Sequence, residues 1–66
     1  MNVVVNGEPR EVDAGTTLAD LVGTVSRTGK GVAAAVDGAV APRSTWAALV
    51  LTEGSAIELL TAVQGG

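Results

Sequence analysis

The sequence predicts an α+β fold, a mixed sheet of four to five strands wrapped around one helix, and three observations carry that prediction. Short Val- and Leu-rich runs are cut by turn-forming pairs at Asn6-Gly7, Asp37-Gly38 and Glu53-Gly54. One stretch, Leu18, Leu21, Val22 and Val25, repeats its apolar residues at the i, i+3, i+4, i+7 spacing of a helix face. Finally, 66 residues can bury one hydrophobic core and leave no material for a second. Residues 1–66 are therefore expected to form a single domain, with residues 62–66 as a flexible C-terminal tail.

Val3-Val4-Val5 is the first strand, and Asn6-Gly7 suits a type I′ hairpin turn into a return strand over residues 8–12. Pro9 has no N–H to give to a ladder, so this strand is expected at a sheet edge or with a bulge near its start. Asp13-Ala14-Gly15 breaks the run. Thr17, three residues before Asp20, has the spacing of an N-terminal capping box and opens a helix of about two to three turns. Gly29-Lys30-Gly31 is a polar loop, residues 32–36 an apolar strand, and Asp37-Gly38 a second hairpin turn. Val40 continues the chain to Pro42, and Ser44-Thr45-Trp46 is expected as an irregular segment or short helical turn. In the closing strand Ile57, Leu59 and Thr61 share one face and Glu58 and Leu60 the other. Two hairpins either side of one helix do not make a doubly wound sheet; they wrap a mixed sheet around the helix in the β-grasp manner.

Composition narrows the chemistry. Seven carboxylates against four basic residues give a net charge of −3, which argues against nucleic acid as a partner. The opening residues show neither a basic leader region nor an apolar run long enough for a membrane span, so a cytoplasmic location without membrane attachment is expected. Cysteine and histidine are both absent, which removes disulfides, thiolate nucleophiles, imidazole bases and nearly every zinc site. A core this small leaves little stability for a strained catalytic pocket, so neither a catalytic residue nor a metal ligand is assigned. The stretch from Gly23 to Gly31 superficially matches a phosphate-binding loop, but five residues separate Gly23 from Gly29 where four are required, and Gly31 stands where Ser or Thr would hold magnesium. It also leaves a helix and opens a strand, the reverse of the phosphate-loop order. ATP, where it matters, is expected on a partner.

The remaining chemical signal is Gly65-Gly66. Two glycines close a chain by chance about once in 200 at average composition, and more often in a glycine-rich one. Physically, residues without a Cβ let backbone thread a narrow channel and let a nucleophile reach a terminal carbonyl. Extended chain from Thr61 to Gly66 spans roughly 20 Å, enough to reach a buried partner site. A free carboxylate resists attack and needs activation, for example as an acyl adenylate, after which sulfur attack would yield a thiocarboxylate. Without cysteine to bear a persulfide, the Gly66 carboxylate is the evident place for this chain to carry reactive sulfur.

Several segments together resemble the ThiS family of thiamin-biosynthesis sulfur carriers: Val5-Asn6-Gly7-Glu8, Thr17-Leu18, Val36-Asp37-Gly38, Pro42-Arg43-Ser44-Thr45-Trp46, and the run from Ile57 to Gly66 ending Thr-Ala-Val-Gln-Gly-Gly. The resemblance covers essentially the whole chain, departing at Glu53-Gly54-Ser55, where the family more usually has Asp-Gly-Asp, and in the glycine-rich loop after the helix. It implies a ubiquitin-like β-grasp carrier that is a co-substrate, not an enzyme. A ubiquitin-activating-enzyme-like adenylyltransferase using Mg-ATP would adenylate Gly66, and a cysteine desulfurase or other donor would supply the sulfur. Thiazole synthase would then take it from the thiocarboxylate. On this reading Gly66 bears the sulfur, while Gly65, Gln64 and Val63 form the partner-access tail, and the chain holds no cofactor of its own. The rival functions are a carrier for another sulfur pathway, such as the small subunit of molybdopterin synthase, and a non-carrier interaction module. Plainer roles are expected elsewhere: Trp46 packing in the core, Arg43 and Lys30 solvated, Glu8 and Glu11 a soluble edge.

Overall fold

The computed structural model describes residues 1–61. Its elements run β1 (Asn2–Val5), β2 (Glu8–Glu11), α1 (Leu18–Gly23), β3 (Val32–Val36), β4 (Ala39–Ala41), a 3-10 helix (Arg43–Ala48) and β5 (Ala56–Thr61). The two hairpins form where Asn-Gly and Asp-Gly stand, because a type I′ turn needs both central residues in the left-handed region. Asn6 and Gly7 have φ of 51° and 83°, and Asp37 and Gly38 have 51° and 86°. The strands join in one five-stranded sheet of order β2-β1-β5-β3-β4. β1 and β5 are parallel, while β1–β2, β3–β4 and β3–β5 are antiparallel. This is the expected β-grasp arrangement, with the last strand inserted between the two hairpins.

β2 is an edge strand, as Pro9 requires, and its register with β1 is regular, without a bulge. Pro9 stands opposite Val4, whose own N–H turns the other way to the Ser55 carbonyl at 2.8 Å. Pro9 therefore occupies a position where the ladder asks for no donor, and the missing N–H costs nothing. The strand ends at Glu11, one residue short of expectation, although Val12 still exchanges backbone bonds with Met1 at 2.8 Å in each direction. Glu8 and Glu11 are three apart on one strand, so they point to opposite faces, and both are exposed.

The helix is shorter than its apolar spacing suggested. Its start is as expected: Asp20 N–H donates to Thr17 Oγ1 at 3.1 Å and Thr17 N–H to Asp20 Oδ2 at 3.0 Å, a closed capping box. It ends at Gly23 because Thr24 tightens the last turn, its N–H and its hydroxyl both donating to the Leu21 carbonyl. The β-branched pair Thr24-Val25 adds little helix propensity to resist that tightening. Val25 thus leaves the helical face and is 49% exposed, in contrast to Leu18, Leu21 and Val22, which are buried.

The core fills the space between α1 and one face of the sheet. Val3, Ala34, Ala41, Ile57 and Leu59 come from the strands, Leu18, Leu21 and Val22 from the helix, and Trp46 and Leu51 from the connection between β4 and β5. Buried Ile57 and Leu59 alternate with exposed Glu58 and Leu60, the expected period of two. The segment after the 3-10 helix was unassigned by pattern. It pairs with the start of α1, Leu18 N–H donating to the Leu49 carbonyl and Leu51 N–H to the Thr16 carbonyl. The Glu53-Gly54 turn forms as expected, Gly54 at φ 81° and Ser55 N–H donating to the Thr52 carbonyl at 3.0 Å. Ser55 is buried there, its hydroxyl accepting from Thr52 N–H at 3.0 Å.

Trp46 is a core residue, 5% exposed, and its indole N–H donates to the Ala41 carbonyl at 2.8 Å. Trp46→Phe keeps most of the packing but strands that buried carbonyl, so urea unfolding should show a loss of about 1–3 kcal/mol. A midpoint unchanged from the parent would mean that the indole bond contributes nothing to stability.

Candidate functional site

Val63, Gln64, Gly65 and Gly66 lie outside the described residues, as does the expected flexible segment 62–66. The structure describes the platform from which they continue, β5 up to Thr61. This strand lies inside the sheet, with β1 beside its first two residues and β3 beside it as far as Thr61, Val5 standing opposite Ile57 and Val32 opposite Thr61.

Two turn residues strengthen that grip. Asn6 Nδ2 donates to the Leu59 carbonyl at 3.2 Å, and Asn6 Oδ1 accepts from Leu59 N–H at 2.8 Å. The side-chain amide pairs with β5 as another strand residue would, extending the parallel β1–β5 contact past the end of β1. Asp37 does the same from the other hairpin at the strand's start, its Oδ1 accepting from Ala56 N–H at 2.9 Å and its own N–H donating to the Ala56 carbonyl at 2.8 Å. The sequence reading assigned both residues to turns and missed this second role. Their side-chain chemistry was visible, but the strand they reach depends on a topology that local pattern does not encode.

On the sheet face turned away from the core, Ala33, Ala35, Val40, Glu58 and Leu60 line an open groove of about 110 Å³. Val40 is 81% exposed and Leu60 71%. Leu60 immediately precedes Thr61, so this apolar surface lies at the root of the segment that continues to Gly66.

Beside Thr61, the loop of residues 24–31 enters β3. Arg43, expected to be solvated, is exposed but donates from Nη2 to the Thr28 carbonyl at 2.6 Å, clipping the loop to the 3-10 helix. Gly29 is buried at φ 72°, where an added Cβ would lie 3.4 Å from Trp46 Cζ3 and 3.6 Å from Arg43 Nη2. A left-handed backbone and close aromatic contact together explain glycine at this point in the loop. Lys30 is exposed, as expected. The stretch that superficially matched a phosphate loop does leave α1 and enter β3.

The described residues contain no group of three or more His, Cys, Asp or Glu placed to hold a metal ion. Among them, no helix is long and apolar enough to cross a membrane. Two open clefts of about 250 and 280 Å³ flank the loop, and neither places two carboxylates together. What the arrangement offers chemically is the end of an interior strand beside an exposed apolar surface.

The model of the ThiS family matches residues 3–66. A crystal structure of a thiamine biosynthesis protein (ThiS) from Geobacter metallireducens is similar over 100% of both chains, with 30% identity and a TM-score of 0.80. A solution NMR structure of a thiamine biosynthesis protein from the same organism matches with 29% identity and a TM-score of 0.79, covering 100% of this chain and 88% of that one. A protein of Magnetococcus marinus named thiazole synthase is 38% identical over 66 residues. That match takes in the whole of this chain and 20% of the relative's length.

Asn6→Ala removes both bonds to Leu59 and places alanine at φ 51°. Chemical denaturation should show a loss of about 2 kcal/mol or more, with exchange of the Leu59 amide accelerated beyond that of Val36. Equal acceleration of the two amides would mean that Asn6 acts on the fold at large and not on β5 locally.

Proposed function

The chain belongs to the ThiS family, and from that premise we propose that it is a sulfur carrier for thiazole formation in thiamin biosynthesis. The observation that carries the proposal is the family match running through Gly65 and Gly66, which continue from a strand held on both sides. In this cycle an oxygen of the Gly66 carboxylate attacks the α-phosphorus of ATP on an adenylyltransferase, and pyrophosphate leaves. A persulfide from a cysteine desulfurase or other donor then attacks the carbonyl carbon and displaces AMP, and a thiol cleaves the resulting acyl disulfide to leave the thiocarboxylate, so one oxygen is exchanged for sulfur. Thiazole synthase takes the sulfur from the thiocarboxylate, and the carrier returns to its carboxylate form.

The residues of this chain contribute position and access. Gly65 and Gly66 give a path without side chains, Gln64 and Val63 set the tail against the receiving site, and Val40 and Leu60 supply apolar surface for a partner to cover. The chain acts as a co-substrate and supplies no acid, base or metal ligand; ATP and its magnesium belong to the adenylyltransferase. The resemblance to part of a longer protein named thiazole synthase supports that enzyme as the sulfur acceptor, since a carrier joined to its acceptor would produce such a match. The cycle takes place in the cytoplasm, where the ATP and the thiol-based sulfur donors it needs are found.

Deletion of Gly66 tests the proposal. The truncated protein should keep the parent's circular dichroism and unfolding midpoint but support no thiazole formation in a mixture of adenylyltransferase, Mg-ATP, sulfur donor and thiazole synthase. Thiazole formation at the parent's rate would refute the proposal.

A further inference from the structure

All four basic residues of this acidic chain converge on one loop. Arg27 and Lys30 lie within residues 24–31, Arg43 donates to the Thr28 carbonyl, and Arg10 reaches across from β2 to donate to Thr24 Oγ1 at 3.3 Å. Both described acceptors are neutral, a carbonyl and a hydroxyl. The loop itself contains no carboxylate, and Glu8 lines the adjoining cleft with Arg10 and Val25.

The carboxylates gather elsewhere. Glu53 and Asp37 bond the backbone at the starts of β1 and β5, Glu11 stands opposite Asn2, and Asp20 caps the start of α1. Asp13 lies in the turn that leads to the same end of α1. Glu58 lies within β5 on its outer face and Glu8 beside the Arg10 cleft, but the other five carboxylates lie toward the Ala56 end, while the cations surround the loop that enters β3 at Val32, the residue opposite Thr61. β5 therefore ends, at Thr61, beside the cationic loop.

We infer that this basic collar is a docking surface for a carboxylate-lined rim around the channel that receives the tail. The inference rests on the carrier reading, because it assumes a partner that takes Gly66. Like charges gathered with no ion pair to a carboxylate among the described residues repel one another, and an acidic rim relieves that repulsion while orienting the tail toward the channel. Arg43 also holds the loop, so Arg27 and Lys30, which make no side-chain hydrogen bond among the described residues, are the positions to vary.

The test is stopped-flow association with the adenylyltransferase at salt concentrations from low to physiological and above. The parent should associate more slowly as salt rises. R27E/K30E should associate about tenfold more slowly at low salt, converge with the parent at high salt, and dissociate at a similar rate. R27Q/K30Q should fall between them, which preserves the test if the charge-reversed protein folds poorly. E11K/D13K, which alters the opposite end, should change association far less than R27E/K30E. Association of all variants at one salt-independent rate would overturn the collar. So would equal and opposite effects of R27E/K30E and E11K/D13K, which would reduce it to net charge. Phosphate-induced shifts of the Ser26 to Gly29 amides, without salt-dependent association, would replace it with a small-anion site. Sulfur loading of the parent in the same mixture separates the two claims. Loading that proceeds normally while the charge variants behave like the parent overturns the collar alone, and a parent that is never loaded, beside a control carrier that is, overturns both.

Discussion

The fold depends on a strand that comes last in sequence and sits in the middle of the sheet. β5 has no partner among local neighbours; it must find β1 more than 50 residues back and run parallel to it, with β3 closing the other side. Such pairing costs loop-closure entropy, which the structure offsets with close polar contacts. Asn6 and Asp37, each the first central residue of a type I′ turn, lend side-chain hydrogen bonds to β5 from opposite hairpins. The turn chemistry that makes the two hairpins also holds the strand between them.

This placement suits a carrier. An edge strand would present unpaired backbone groups to any passing sheet, and a tail hung from it would begin at a fraying end. β5 instead ends at Thr61 in the middle of the sheet, opposite Val32 of β3. The division of work follows from size: a domain whose buried side chains are mostly Val, Leu and Ala, with one Trp, has little stability to spend on a strained site. Activation, sulfur delivery and ring formation fall to partners on the proposed cycle, while the domain supplies the end of an interior strand, an apolar surface at Leu60 and Val40, and a cationic loop beside Thr61.

Much of this was legible in the residues. Asn-Gly and Asp-Gly pairs marked both hairpins because few other residues tolerate two consecutive positive φ values. Thr17 and Asp20 marked the helix start, Pro9 the sheet edge, and the alternation of Ile57 and Leu59 with Glu58 and Leu60 the two faces of β5. These are local signals with local causes. The helix end was misread because Val25 fits the apolar spacing, whereas Thr24 decides the outcome by bonding back to Leu21. Arg43 was read as solvated because its acceptor, the Thr28 carbonyl, is brought near only by tertiary packing. The second roles of Asn6 and Asp37, the pairing of residues 49–51 with the start of α1, and the gathering of the cations all depend on contacts distant in sequence. The tail was the reverse case: Gly65-Gly66 and the residues before them carried a family resemblance that the match over residues 3–66 bears out.

On the proposed cycle the chemistry resides in the carboxylate of Gly66, the last residue of the segment that follows β5. Its most direct test is the intact mass of the protein, with fragmentation, after incubation with the adenylyltransferase, Mg-ATP and a sulfur donor. Replacement of one oxygen by sulfur is expected, located at Gly66 and nowhere else. Sulfur located at another residue, or an unchanged mass while the same enzyme loads a control carrier, would contradict it.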